Sequence, residues 1–87
     1  MDKQYIINFN LMEASAHLEE LKKKSEKYKN IDDFDLIDWE VNMEHIMAHL
    51  NKAYNVRKLS NVQLANLNDE DTQNLSQTPK DLLYLIS

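Results

Sequence analysis

Not one of the 87 residues in this chain is glycine, and only one is proline. Glycine enters left-handed backbone without steric cost and lets a backbone approach a phosphate closely. Its absence removes the P-loop, the dinucleotide-binding turn, the nucleophile elbow and the GXXG clamp of KH domains. It also disfavours tight β-hairpins, although asparagine replaces glycine in some turns. Leucine, glutamate, lysine, methionine and alanine, all good helix formers, are plentiful. The chain is expected to be all-α: an antiparallel helical hairpin closed by short C-terminal helices, in one small domain covering residues 1–87. Two copies could pair into a four-helix bundle.

The clearest helix lies within Asp32–Val56 and is expected over residues 33–56. Leu36, Trp39, Met43, Ile46, Leu50 and Ala53 recur in steps of three and four, which marks one helical face. Ile37, Met47 and Tyr54 widen that stripe. Asp32 or Asp33 suits the N-cap, with Asp35 and Asp38 in the first turns, where negative charge meets the positive end of the helix dipole. Lys52, Arg57 and Lys58 stand at the other end.

The preceding helix is expected over residues 10–28, capped by Asn8 or Asn10. Its apolar rhythm is Leu11, Ala14, Leu18, Leu21, Ser25 and Tyr28. Residues 1–8, with Tyr5, Ile6 and Ile7, read as a β-prone or irregular lead-in that packs against the helices. Lys22, Lys23, Lys24, Lys27 and Lys29 crowd the helix end. They suit the dipole and, across a hairpin, the aspartates of the second helix, better than they suit a phosphate site. The short link at residues 29–31 makes the two helices antiparallel neighbours, with their apolar stripes expected to face each other as the core.

Short helices are expected within residues 60–86. Ser60 with Gln63 forms a capping box for residues 61–67, and Asn68 or Asp69 starts a turn through Leu75. Thr78 with Pro79 opens a last apolar helix to about Ile86.

Several functions are disfavoured. There is no cysteine, hence no disulfide and no thiolate site, which suits a reducing cytoplasm. The formal net charge of −5 opposes direct binding to nucleic acid or to an anionic membrane. No apolar run is long enough to span a bilayer or serve as a signal peptide. No serine, histidine or carboxylate falls in a telling catalytic arrangement, so no enzyme is expected. Residues 62–75 imitate a helix-turn-helix, but the would-be recognition helix begins Asp69-Glu70-Asp71 and would repel phosphates.

His45 and His49 are spaced four apart, as are Glu13 and His17. Two histidines on one helical face make half a zinc site, and crossed helices could gather Glu13 and His17 with them as four ligands. By helical angle His45 falls well off the apolar stripe and His49 at its flank. Boundary histidines without a metal are therefore the expectation, and a metal-binding helical protein using His45 and His49 is an alternative.

The strongest functional hint is an acidic run. Asp32, Asp33, Asp35, Asp38, Glu40 and Glu44 precede the first lysine or arginine of this stretch, Lys52. They alternate with Phe34, Ile37, Trp39 and Val41. The pattern points to a non-catalytic protein-interaction module that docks a basic or amphipathic partner protein, or a second copy of itself. The expected partner-binding residues are Phe34, Ile37, Asp38, Trp39, Glu40, Val41 and Glu44, with no cofactor and no metal. A further alternative is an acidic inhibitor that imitates nucleic acid towards a DNA- or RNA-binding protein.

Overall fold

The computed structural model describes residues 2–30, 32 and 35–79. Four helices follow one another: α1 Lys3–Ser25, α2 Leu36–Arg57, α3 Asn61–Ala65 and α4 Asp69–Asn74. No strand occurs among the described residues. None of these helices is long and apolar enough to cross a membrane. Long helices α1 and α2 lie antiparallel along each other, since Asn10 meets His49 at one end and Lys24 meets Asp38 at the other. No described residue has positive φ, so the described turns of this glycine-free chain stay within the right-handed and extended regions.

α1 is longer at its start than the expected helix. Asp2, not Asn8 or Asn10, is the N-cap, accepting from the Gln4 N–H at 3.2 Å. Residues 3–8 of the expected lead-in are therefore helical. The helix cost of two isoleucines is a few tenths of a kcal/mol each, roughly, and tertiary contact outweighs it. Ile6 and Ile7 are half-buried, and the Lys3 N–H donates to Asn61 Oδ1 at 3.0 Å, which ties the start of α1 to α3. At the other end α1 stops at Ser25 rather than residue 28. The N–H groups of Lys27 and Tyr28 turn back to Lys24 and Ser25 in tight i to i+3 bonds. The link to α2 is consequently longer than residues 29–31.

α2 begins at Leu36, and its cap is Asp35, whose carboxylate accepts from the Asp38 N–H at 3.1 Å. Asp32 sits upstream of that cap, and Asp33 lies outside the described residues. α3 carries the expected capping box: Gln63 N–H to Ser60 Oγ at 3.1 Å, and Ser60 N–H to Gln63 Oε1 at 2.8 Å. It ends at Ala65, two residues early. Asn68 caps α4. The chain then returns along α2, where Asn55 Nδ2 donates to the carbonyls of Leu75 and Gln77, and Asn51 Nδ2 to that of Ser76. The expected final helix from Pro79 lies, past Pro79 itself, outside the described residues.

The line of contact between the long helices is not the leucine stripe. On α1 the buried side chains are Asn10, Ala14 and Leu21; on α2 they are Asn42, Ile46, Ala53 and Val56. Leu21 and Ile46 form the centre, with Trp39 and Met43 packed against it. Leu18 is 54% exposed and Leu50 46%, and Leu11 and Leu36 are exposed as well. The assignment of these four to the core is thus corrected. Ala14 and Ala53 let the helices approach, and the asparagines satisfy themselves locally. Asn10 Nδ2 donates to the Ile6 carbonyl at 2.9 Å, and Asn42 Nδ2 to that of Asp38 at 2.7 Å. Polar residues are therefore tolerated on the contact line, while the leucines turn about 70–110° away, at 100° per residue.

Truncating Ile46 or Leu21 to alanine should cost about 2–5 kcal/mol, whereas Leu50→Ala should cost about 1 kcal/mol or less. Urea unfolding of the three variants checks this, and equal losses would return Leu50 to the core.

Candidate functional site

A shallow groove of about 270 Å³ runs along α2. Ile37, Trp39, Glu40, Val41, Met43, Glu44 and Met47 line it. Ile37 is 74% and Val41 44% exposed, so neither is used by the core. Glu40 and Glu44, one turn apart, are exposed at its polar edge. Trp39 has a double position, since it lines the groove and also packs against Leu21 and Ile46. Asp38 is directed elsewhere, towards Lys24 Nζ at 3.7 Å across the hairpin. That pair and the Lys24–Glu20 pair at 3.9 Å are half-exposed, and each contributes at most about 1 kcal/mol. Phe34 lies outside the described residues.

A second constellation sits where α1 and α2 meet. His49 belongs to the contact line rather than its flank, and its Nδ1 is 2.9 Å from Asn10 Oδ1. The His17 ring stacks on that of His49 at 5.6 Å, and the His45 ring stands edge-on to His17 at 5.6 Å. His17 Nε2 lies 3.8 Å from Glu13 Oε2. One donor atom from each of Glu13, His17 and His49 is within 4.8 Å of the other two. The pairing of His45 with His49 expected for a metal reading is not the one that converges: His17 and Glu13 join His49 instead. The sequence carried a signal for this. Positions 10, 14, 17 and 21 match 42, 46, 49 and 53 in spacing, with an alanine in each series.

Beside this cluster, Ile6, Phe9, Asn10, His49, Val56, Leu64 and Leu75 help enclose an open cleft of about 760 Å³ between the hairpin and the short helices. Burial lowers the His49 pKa below its usual 6.5, helped by His17, Lys52 and His45 and opposed by Glu13.

No family model, no curated protein and no solved structure matches the chain.

The lowered His49 pKa has a consequence for stability. The unfolded chain takes up a proton near pH 6.5, and the folded chain does so only at lower pH. Stability should therefore fall as pH drops through and below 6.5. In chelator-treated protein, His49→Gln should flatten that fall between about pH 7.5 and 5.5, a window set by the ordinary histidine value. Thermal melts across the window check it, and identical slopes would remove His49 as the cause.

Proposed function

We propose that this chain is a small, non-catalytic protein-interaction module of a reducing cytoplasm, and that it docks a basic, amphipathic helix in the outward groove of α2. One observation carries the reading: Ile37 and Val41 stand open in a groove edged by Glu40 and Glu44. α2 bears no lysine or arginine before Lys52. Exposed apolar side chains rimmed by charge of one sign describe an interface better than an ordinary solvated face. A partner helix would seat apolar residues at i and i+4 on Ile37 and Val41 and set lysines against the glutamates. Imitation of nucleic acid is less well supported, because two of the carboxylates are already engaged. Asp35 caps α2 and Asp38 faces Lys24.

The probe is a synthetic helix with leucine on one face and lysine at its borders. The wild-type chain should bind it in a salt-sensitive manner. Ile37→Ala combined with Val41→Ala should weaken binding about tenfold or more while leaving urea unfolding nearly unchanged. Glu40→Lys with Glu44→Lys should slow association and flatten its salt dependence. Unaltered binding by the double alanine variant would sink the groove as the docking site. Capture from the native cell, run in parallel with that variant, then names the partner.

A second reading, self-association, has its own support. Leu11 and Leu18 are turned from the contact line in the same sense as Leu36 and Leu50, and in an antiparallel pair that places all four on one side. A second hairpin on that side would complete a four-helix bundle. Sedimentation should then show a dimer at tens of micromolar, reduced to monomer by Leu18→Glu with Leu50→Glu. A wild-type monomer would end this reading and leave the groove untouched.

A further inference from the structure

We propose that Glu13, His17 and His49 chelate a divalent transition-metal ion of the zinc class, clipping α1 to α2. The donors already converge within 4.8 Å of one another, and His17 Nε2 and Glu13 Oε2 are 3.8 Å apart. Bonds of about 2.0–2.2 Å in a tetrahedral zinc site put ligand atoms about 3.3 Å apart. Closing onto an ion therefore asks for side-chain shifts of about one ångström or somewhat more, with no movement of the helices.

The donor chemistry selects the ion. Two imidazoles and one carboxylate suit zinc and its neighbours, whereas calcium and magnesium want oxygen ligands throughout. Glu13 and His17 project from successive turns of one helix and His49 from the other, so rigid elements set the spacing.

The orientation of His49 is held by a partner behind it. Asn10 Nδ2 donates to the Ile6 carbonyl, which fixes the amide so that its Oδ1 faces His49. That oxygen can only accept, so in the neutral ring His49 Nδ1 carries the hydrogen and Nε2 has the free lone pair that a metal would need. Such a hydrogen-bonded support behind a histidine is a regular part of metal sites. His49 also lines the open cleft, which lets an ion and a water reach it. Three protein ligands leave a fourth position for that water. His45, edge-on to His17 but outside the convergent set, serves as the internal control.

The test is titration of the chelator-stripped full chain with Zn²⁺ by calorimetry, paired with thermal melts. One ion per chain should bind with micromolar affinity and raise the melting temperature. Glu13→Gln and His17→Gln should each weaken binding about tenfold or more, and His45→Gln by less than about threefold, which a water-exposed bystander would permit. Glutamine preserves length and polarity, and circular dichroism verifies the helices of each variant. Mg²⁺ should have no effect. The proposal is overturned if Zn²⁺ does not saturate below millimolar concentration. It is equally overturned if Glu13→Gln keeps wild-type affinity, or if His45→Gln loses as much as His17→Gln.

Discussion

Everything in this fold depends on how narrow the contact between two long helices can be. Asn10, Ala14, His17 and Leu21 on one side meet Asn42, Ile46, His49 and Ala53 on the other, and only Leu21 and Ile46 are large buried hydrophobes within that line. Two helices alone bury one strip each. A strip with two alanines allows close approach, and its asparagines cost little because each returns its amide to a carbonyl of its own helix. The leucines that a larger bundle would bury are displaced to its side.

That displacement decides which side chains stay open to solvent. The hairpin satisfies its polar interior, with no buried side-chain nitrogen or oxygen left without a partner among the described residues. Yet apolar side chains remain open to solvent, among them those of two surfaces. One is the leucine side shared by both helices. The other is the groove of α2, where Ile37 and Val41 stand between carboxylates. The same contact line that leaves these surfaces open gathers Glu13, His17 and His49, because polar residues sit where a conventional core would place leucine. The α2 groove and the Glu13–His17–His49 cluster are thus two results of one packing choice.

The short C-terminal helices follow from asparagine chemistry. Asn68 caps α4, and Asn51 and Asn55 reach out from α2 to hold the carbonyls of residues 75–77. In a chain without glycine, side-chain amides do work that left-handed turns perform elsewhere.

Much of this was legible in the residues. The absence of glycine, the steps of three and four, the acidic starts and basic ends, and the Ser60–Gln63 capping box specify helices, since all of these act within a few residues of chain. Local propensity was also misleading where tertiary contact overrode it, as at Ile6 and Ile7, which the Lys3–Asn61 bond draws into α1. The acidic, apolar pattern around Ile37 and Val41 could be read directly, because it is a property of one helix surface. The face by which that helix meets its neighbour could not. Apolar periodicity locates the greasiest side of a helix, and here that side is Leu36 and Leu50. Contact is decided jointly by both helices, by where small side chains coincide and where polar atoms can be satisfied. The spacing allowed the two pairs to meet, but only the tertiary structure sets His49 on the contact line with His17 against it and Glu13, 36 positions earlier in the chain, in the same cluster, and leaves His45 outside it.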